Sequence, residues 1–501
     1  MDEAGSRRAA TADEVDRAAW RAWEAFDAAP PVDARARALD LAADGLDAHP
    51  TLVGTVCEET AYAAPRVRTE LIRTSNQLRA FAALIREGSW VEATIDHGDP
   101  ARTPTPKPDL RRMLLPLGPV GVFGASNFPL AYGVAGGDTS GALAAGCPVI
   151  VKEHSAQPRT GEAIAAVVED ACARAGLPPG FFVYLPASGE RAIEVGLELV
   201  RHPRVRAVGF TGSVQGGMSL ARAASERPEP IPVYAEMGSV NPVFVLPGAA
   251  RSRGAAIGAM LGASATASGG QMCTCPGLIF VTPQADAVVE ALRGVFASAG
   301  LVTMLTPRTA SLFAERLADV QQAGGARVVA RGGEGGEGGE GDAARAGTPT
   351  LLEAGLDAFL NEPTLREECF GPSTIVVRCE HERDFARGVG VLPGSLTGSV
   401  FADDAEWSGA RGLVGALRER VGRLIFNGVP TGVEVVPAMN HTGPFPACNR
   451  PDTTAVGAYS IRRWCRPVCF QNAPAGLLPE ELRDGNPRGI WRLVDGARVR
   501  G

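Results

Sequence analysis

The fold is predicted by residues 149–186, VIVKEHSAQPRTGEAIAAVVEDACARAGLPPGFFVYLP. Two short apolar runs, VIVK at 149–152 and FFVYLP at 181–186, enclose a segment whose apolar residues recur every three to four positions. Short apolar runs are typical of buried strands, and the recurrence between them is typical of an amphipathic helix. A strand, a helix and a second strand in this order predict a β-α-β unit with parallel strands.

The same alternation continues towards the C-terminus. A helical segment near 190–200 is followed by VRAVGF at 205–210, another helix, and IPVYAEM at 231–237. The run PVFVL at 242–246 begins a second α/β unit, while residues from about 10 to 90 carry the spacing of helices. The chain is therefore predicted to be an α/β protein.

Length, charge and cysteine content exclude several classes of protein. A chain of 501 residues is too long for one simple core, and its net charge of −7 is spread out, which argues against nucleic acid or a membrane surface as a partner. The polar start predicts no signal peptide, and no apolar stretch approaches the ~20 residues of a membrane span. Ten irregularly spaced cysteines predict reduced thiols in the cytoplasm. The Gly/Glu-rich run at 333–342 is predicted to be a flexible surface loop.

Residues 269–277, GGQMCTCPG, place two cysteines one residue apart among small residues. Cys273 and Cys275 could be half of a metal site, a redox pair, inert core thiols, or a pair that includes a nucleophile. Structural zinc requires two closely spaced pairs of ligands. The next cysteine is Cys369 and the six histidines are scattered, so no metal site is predicted.

Six short motifs follow one another along the chain, most of them at the carboxyl ends of predicted strands, where α/β proteins place their chemistry. They are S-N-F-P (126–129), P-V-I-V-K (148–152), F-T-G-S-x-x-x-G (210–217), E-x-G (236–238), G-Q-x-C (270–273) and E-x-F-G-P (368–372). Each alone has an ordinary structural explanation, but together in this order they resemble the aldehyde dehydrogenase superfamily. Residues 99–152, 422–435 and 466–496 resemble its subfamily of α-ketoglutaric semialdehyde (2,5-dioxopentanoate) dehydrogenases, and the likeness covers roughly residues 50 to 497.

The resemblance implies an aldehyde dehydrogenase-like α/β fold of two Rossmann-like parallel-sheet domains plus a small bridging and oligomerisation element. Residues 1–237 are expected to form the cofactor-binding domain, with a Pro-rich bridging arm at about 97–117. Residues 238–437 are expected to form the catalytic domain, and residues 438–501 a C-terminal bridging segment. The resemblance also implies a homodimer or a homotetramer.

Cys273 matches the superfamily nucleophile, and the chemistry agrees with that role. An aldehyde carbon can lose hydride and become an acyl group only after a tetrahedral adduct has formed. A thiolate is a good nucleophile for forming that adduct and later a good leaving group from the thioester. Asn127, together with the backbone N–H of Cys273, matches the donors to the oxyanion. Glu236 matches the carboxylate that activates water for hydrolysis of the thioester.

The expected cofactor is NADP, with NAD as a possible second. The resemblance places Lys152 at the adenosine ribose and the turn Thr211–Gly212–Ser213 at the pyrophosphate, since a helix N-terminus attracts phosphate. It places Glu368 at the nicotinamide ribose and completes the cofactor set with Phe210, Gly217 and Phe370.

The choice between the two nicotinamide cofactors depends on the charge near the ribose 2′ position. Many NAD-using relatives carry Glu three residues after the lysine, where it repels a 2′-phosphate. Ser155 occupies that position and favours NADP, although the unusual Glu153 could restore some repulsion.

The substrate end departs from the subfamily pattern in VPAMNHTGPFPACNRPD, residues 436–452. Pro437 replaces an expected His. The expected Asp-x-Arg appears with its charges in reverse order, as Arg450 and Asp452. The expected reaction is oxidation of 2,5-dioxopentanoate to 2-oxoglutarate, with another aldehyde, such as a medium-chain one, as the alternative. An Arg is expected to hold the substrate carboxylate because its planar fork matches that group, but the sequence does not identify it.

Two functions of other classes are weighed against this one. A cysteine hydrolase would use a thiol, an oxyanion hole and a Glu base but has no use for Lys152, the 211–213 turn or Glu368. A non-catalytic scaffold is disfavoured because all three catalytic residue types are intact.

Cys275 either packs in the core or shields its neighbour Cys273 through a reversible disulfide or sulfenamide.

Overall fold

The computed structural model describes residues 8–333 and 343–500. Apart from Gly333, the loop predicted at 333–342 therefore lies outside the described residues. No described helix is both long enough and apolar enough to cross a membrane.

The described residues form helices and strands that alternate strictly from Val120 to Glu236. The α-helices are α1 (Ala12–Asp27), α2 (Val32–Asp47), α3 (Leu52–Thr60), α4 (Ala64–Glu87), α5 (Gly137–Ala145), α6 (Pro158–Arg174), α7 (Ala192–Arg201), α8 (Val214–Ser225), α9 (Pro247–Thr266), α10 (Asp286–Ser298), α11 (Pro307–Gln322), α12 (Leu356–Asn361), α13 (Phe385–Val391) and α14 (Arg411–Arg418). The strands are β1 (Thr94–Asp96), β2 (Leu110–Pro116), β3 (Val120–Phe123), β4 (Val149–Lys152), β5 (Phe182–Leu185), β6 (Ala207–Thr211), β7 (Val233–Glu236), β8 (Val243–Val245), β9 (Leu278–Val281), β10 (Val302–Thr303), β11 (Ala326–Arg331), β12 (Ala346–Gly347), β13 (Thr350–Gly355), β14 (Ser373–Arg378), β15 (Ser395–Phe401), β16 (Val421–Phe426), β17 (Cys465–Gln471), β18 (Arg492–Val494) and β19 (Ala497–Val499).

Three larger sheets organise these strands. The first sheet has the order β5-β4-β3-β6-β7 and is parallel throughout. The second has the order β11-β13-β14-β9-β8-β15-β16 and is parallel except for β11. The third, β17-β2-β1-β18-β19, is smaller and mainly antiparallel. The predicted α/β class with two Rossmann-like parallel sheets is confirmed.

The first sheet is covered by helices on both faces, as parallel sheets are. In β4, Val149 and Val151 pack with apolar residues of α2, α4 and α6, whereas Ile150 packs with those of α1, α7 and α8. Successive side chains of a strand point to opposite faces, so an unbroken apolar run such as VIV suits a strand that is covered twice. Each such side chain contributes roughly 1.5–3 kcal/mol when it is buried.

The second sheet repeats this arrangement. Phe244 of β8 stacks on Phe280 of β9, with ring centroids 4.5 Å apart, on the face covered by α11 to α14. Val243 and Val245 point to the opposite face, which α9 and α10 cover. Alternate residues of PVFVL therefore belong to two different core clusters.

The C-terminal segment returns to the junction between the two parallel sheets. The side chain of Asn449 bonds to the β7 backbone at Ala235 and Val233, at 2.9 Å each, and Cys448 forms a β-bridge with Glu236. Part of the segment predicted as a separate bridging element, 438–501, thus extends the edge of the first sheet. Its later part, β17 to β19, builds the third sheet with β2 of the Pro-rich arm. The proposed domain boundaries stay a prediction.

Candidate active site

A cavity of about 670 Å³ lies where the carboxyl ends of the strands of the first sheet face the nucleophile loop of the second. Nine of the twelve predicted site residues line it: Asn127, Ser155, Thr211, Gly212, Ser213, Glu236, Cys273, Glu368 and Phe370. The other three, Lys152, Phe210 and Gly217, are not part of its wall. The structure therefore brings together the residues predicted for catalysis and most of those predicted for the cofactor.

The loop that carries Cys273 begins with three consecutive residues of positive φ. Ser268, Gly269 and Gly270 have φ values of 51°, 66° and 65°. A Cβ atom on Gly270 would lie 2.2 Å from the carbonyl oxygen of Gly371, so no larger side chain fits at that position. The glycines of GGQMC therefore allow both a left-handed backbone and a close approach of two backbone segments of the chain.

One buried amide fixes the backbone on either side of the nucleophile position. Asn241 Nδ2 donates to the carbonyl oxygens of Cys273 and Cys275, at 2.8 and 2.9 Å. Its Oδ1 accepts hydrogen bonds from the hydroxyls of Ser239 and Thr397, at 2.8 and 2.9 Å. This network holds the loop in one arrangement, since a rearrangement would leave buried polar groups unpaired.

The two sulfur atoms have different surroundings. Cys273 faces the cavity, whereas Cys275 lies outside its wall, packs against the apolar cluster beneath the second sheet, and has its Sγ 3.6 Å from the carbonyl oxygen of Ala265. Burial raises the pKa of Cys275 to about 12. A thiol so placed behaves as a small apolar side chain, which favours the packing interpretation of Cys275.

The site contains a histidine that the sequence analysis missed. His441 Nε2 lies 3.8 Å from Cys273 Sγ and 2.9 Å from Glu236 Oε1. The side chains of His441 and Glu236 are only 1% and 2% exposed. The approach to Glu236 is close, but it does not have the geometry of a hydrogen bond, whereas the sulfur contact does. The imidazole therefore lies between the thiol and the carboxylate.

The sequence places this histidine in a stretch of interest but does not mark it as part of the site. His441 belongs to 436–452, the stretch expected at the substrate mouth, but it was counted only among the scattered histidines. Its backbone N–H donates to Thr454 Oγ1 at 2.9 Å, and its ring centroid lies 6.1 Å from that of Tyr132. A position 168 residues from the nucleophile along the chain gives no spacing pattern, so only the fold brings the two together.

The resting thiol of Cys273 is strongly held in its neutral form. Burial is the main cause of its raised pKa, and the charges of Glu236 and Glu368 raise it further, while Arg73 acts in the opposite direction. A thiol nucleophile in such surroundings requires a neighbouring base. His441 and Glu236 are the groups in place for that purpose.

Asn127 reaches the cavity from a segment that is tied to α4. Its Nδ2 donates to the carbonyl oxygen of Gln271 at 3.1 Å, and its own carbonyl accepts from Arg66 Nη2 at 2.9 Å. Glu70 accepts the backbone N–H groups of Leu130 and Ala131, at 2.9 and 3.0 Å. An amide nitrogen has two N–H groups, so one is left for an oxyanion beside Cys273.

The N-terminus of α8 faces the other end of the cavity. The Ser213 hydroxyl caps the helix by accepting from Gly216 N at 3.1 Å. Gly217 lies behind the turn, where a Cβ would come within 2.7 Å of Met237 Sδ, so the glycine allows α8 to pack closely on the sheet. The ring of Phe210 lies below the turn against Gly212 and Gly216. Phe210 and Gly217 thus shape the turn from behind.

The acidic and basic groups near the cofactor end are partly buried. Burial lowers the pKa of Lys152 to about 8 and raises the pKa of Glu368 to about 7. Lys152 Nζ donates to the carbonyl oxygen of Glu153 at 2.9 Å. The Glu153 side chain is buried and hydrogen-bonded to Ser188, whereas Ser155 is exposed to the cavity. The carboxylate of Glu153 therefore does not form part of the cavity wall.

Three potential metal ligands meet at Cys273. One ligand atom from each of Glu236, Cys273 and His441 lies within 4.8 Å of the other two. The expectation that the chain has no metal site stays a prediction, since it was based on ligand spacing. Ligands contributed by positions this far apart leave no spacing pattern in a sequence.

Comparison with known proteins identifies the family. Residues 2–443 match the model of the aldehyde dehydrogenase family. The chain is 45% identical over 493 residues to alpha-ketoglutaric semialdehyde dehydrogenase 2 of Azospirillum brasilense, which covers 97% of this chain and 92% of that protein. It is 41% identical, with the same coverage, to alpha-ketoglutaric semialdehyde dehydrogenase of Acinetobacter baylyi. The solved structure of 3,6-anhydro-L-galactose dehydrogenase superposes with a TM-score of 0.77 at 22% identity, over 93% of this chain and 92% of that one. The chain therefore belongs to the aldehyde dehydrogenase family.

Proposed function

We propose that the protein oxidises 2,5-dioxopentanoate to 2-oxoglutarate with NADP, through a thioester on Cys273. The observation that carries the proposal is one cavity that joins Cys273, Asn127 and Glu236 to the capped N-terminus of α8. A thiol, an oxyanion donor and a base serve acyl chemistry, and a helix N-terminus beside them suits a pyrophosphate. The two similar proteins named for α-ketoglutaric semialdehyde support the choice of substrate.

The first half of the reaction forms the adduct and oxidises it. His441 Nε2 accepts the thiol proton of Cys273, and the resulting imidazolium is stabilised by Glu236 at 2.9 Å. The thiolate attacks the aldehyde carbon, and Asn127 Nδ2 donates to the oxyanion that forms. A nicotinamide held at the cofactor end of the cavity would supply the hydride acceptor that turns this thiohemiacetal into a thioester.

The second half hydrolyses the thioester. Glu236 takes a proton from water as the water oxygen attacks the acyl carbon, and the sulfur leaves as thiolate with the former C–S bonding pair. The thiolate then regains its proton from His441, and Glu236 releases the proton taken from water to solvent. Both proton acceptors act within one buried cluster, so the site has a separate base for each of the two proton transfers.

The wall of the cavity favours NADP over NAD. Ser155 faces the cavity three residues after Lys152, and its hydroxyl does not repel a 2′-phosphate. Glu153, which could have restored repulsion, is buried and turned towards Ser188. Burial also lowers the pKa of His154 to about 4, so this neighbouring ring is neutral and supplies no positive charge.

The direct test follows nicotinamide reduction with the purified protein. We expect absorbance of reduced cofactor with 2,5-dioxopentanoate, faster with NADP than with NAD. Reduction only with medium- or long-chain aldehydes would show that the proposed substrate is wrong. Faster reduction with NAD would show that the proposed cofactor preference is wrong. Ester cleavage in the absence of cofactor, with no aldehyde oxidation, would instead favour a cysteine hydrolase.

The role of His441 is tested by His441→Gln, which keeps a similar volume without a titrating base. We expect kcat/KM to fall by ~10²–10⁴, the usual contribution of a general base. Alkylation of Cys273 by iodoacetamide is also expected to require a higher pH, because the thiol has lost its proton acceptor. An unchanged pH profile of alkylation would show that His441 has only a structural role.

Arg73 is our proposed anchor for the substrate carboxylate. Its Nη2 donates to the Tyr132 hydroxyl at 3.0 Å, and its guanidinium carbon lies 5.2 and 6.0 Å from the ring centroids of Tyr132 and Phe128, which both line the cavity. Arg73 Nε is buried without a hydrogen-bond partner in the described residues. Arg423 is occupied by the carbonyl oxygens of Pro430 and Gly432, at 2.7 and 3.0 Å.

The substitution Arg73→Ala separates this anchor from general damage. We expect kcat/KM for 2,5-dioxopentanoate to fall ~10–100-fold, because a charge-assisted hydrogen bond contributes about 1.5–3 kcal/mol. Neutral pentanal should lose less than about threefold, because it has no carboxylate to bind. Arg68→Ala, on the exposed side of the same helix, is the matched control. Equal losses of kcat/KM for both aldehydes would show that Arg73 does not recognise the substrate carboxylate.

We further propose a cytoplasmic homodimer or homotetramer. The edge strand β16 of the second sheet has a neighbour on one side only, and Phe426 at its end is half exposed. Unpaired strand edges commonly pair with another chain. Light scattering should give a mass of two or four chains, and a monomer at micromolar concentration would contradict the proposal.

All ten cysteines are free, which favours the cytoplasm as the location of the protein. Recovery of the protein from an oxidising compartment in cell fractionation would argue against this location.

A further inference from the structure

The cluster at the nucleophile has the composition of a metal site as well as that of a catalytic one. Cys273, His441 and Glu236 offer a sulfur, an imidazole nitrogen and a carboxylate oxygen, which are the ligands that Zn²⁺ takes in proteins. Three protein ligands with a fourth position open to a cavity form the pattern of exchangeable zinc sites rather than that of closed structural ones.

The distances in the cluster are close to those of a metal complex. Tetrahedral Zn²⁺ with bonds of about 2.3 Å to sulfur and about 2.05 Å to nitrogen and oxygen holds its ligands roughly 3.6 Å (S to N) and roughly 3.3 Å (N to O) apart. The corresponding separations here are 3.8 Å from Cys273 Sγ to His441 Nε2 and 2.9 Å from Nε2 to Glu236 Oε1. For these two pairs, shifts of about 0.2 to 0.5 Å are sufficient, and the third pair, the sulfur and a carboxylate oxygen of Glu236, lies within 4.8 Å.

The carboxylate that completes the set accepts no hydrogen bond from the described residues, and its close neighbour is the His441 ring. Both oxygens of Glu236 are buried without a hydrogen bond in the described residues, although the side chain is only 2% exposed. His441 Nδ1 likewise has no partner there. A buried carboxylate in this condition is costly unless a proton, a water or a cation satisfies it. The cluster is thus ready for a positive ligand.

We propose that Cys273, His441 and Glu236 bind a thiophilic divalent cation such as Zn²⁺ or Cd²⁺, which reversibly blocks the nucleophile. Binding forms a metal–sulfur bond and releases the thiol proton to solvent. The sulfur lone pair that would attack the aldehyde is then engaged, so the metal inhibits. The same bond protects the thiol from oxidation and alkylation.

Metal binding at this site is independent of the proposed function, because it requires neither substrate nor nicotinamide. Its formation can therefore be measured on the cofactor-free protein, whether or not the protein oxidises 2,5-dioxopentanoate. Cys275 and Cys469 provide matched controls, since the first is two residues from the nucleophile but outside the cavity wall, and the second is exposed at the surface.

The test titrates the purified, cofactor-free protein with Cd²⁺ and follows the sulfur-to-cadmium charge-transfer absorbance. We expect one high-affinity ion per chain, and loss of its absorbance in Cys273→Ser but not in Cys275→Ser or Cys469→Ser. His441→Gln should weaken binding by at least ~10-fold, the loss seen even for residues that only support a ligand. Absorbance that survives Cys273→Ser would overturn the proposal.

A second measurement uses the unaltered protein, so that misfolding of a variant cannot decide the outcome. Saturating Zn²⁺ should block alkylation of Cys273 by iodoacetamide, as read by peptide mass, and EDTA should restore it. Labelling of the exposed Cys469 should continue in the same sample. Alkylation of Cys273 at an unchanged rate under Zn²⁺ would refute the site.

Discussion

The active-site arrangement depends on the amide of Asn241. Its two N–H bonds reach the carbonyl oxygens of Cys273 and Cys275, and its oxygen is held by two hydroxyls. With the backbone fixed on both sides, the side chains of Cys273 and Cys275 are held in different surroundings. One sulfur is therefore presented to the cavity and the other to the apolar core. The C-x-C pattern is symmetric, but its two sulfur atoms have different surroundings. Asn241, more than thirty positions earlier in the chain, holds the backbone that produces this difference.

The rest of the site is assembled around this loop by the topology of the sheets. Glu236 ends β7, the last strand of the first sheet, and the next residues lead directly into the second. His441 arrives from the C-terminal segment, which continues to pair along β7 through Cys448 and Asn449. The proposed catalytic groups, from three parts of the chain, therefore meet at one junction, where loops converge at the carboxyl ends of parallel strands. The same closeness that suits proton transfer also creates a set of ligands for a metal ion.

Much of this could be predicted from the sequence, because local patterns carry it. The apolar runs around 149–186 predicted parallel strands, and glycine and polar motifs at strand ends marked the residues of the cavity. His441 and Arg73 could not be found in that way, because their positions follow from packing between segments that are distant along the chain. Lys152, Phe210 and Gly217 match sequence motifs, yet they lie outside the cavity wall, since a motif records what supports a turn as well as what faces a ligand.

The central claim is that Cys273 carries the acyl group, and the most direct measurement is to trap that group. In Glu236→Gln the amide cannot activate water, so the thioester should accumulate when NADP and 2,5-dioxopentanoate are added. Acid quenching, proteolysis and fragmentation mass spectrometry then locate the added mass within GGQMCTCPG. The account predicts an acyl group on Cys273, formed together with one equivalent of reduced cofactor. An acyl group on Cys275, or reduced cofactor without any acylated cysteine, would contradict it.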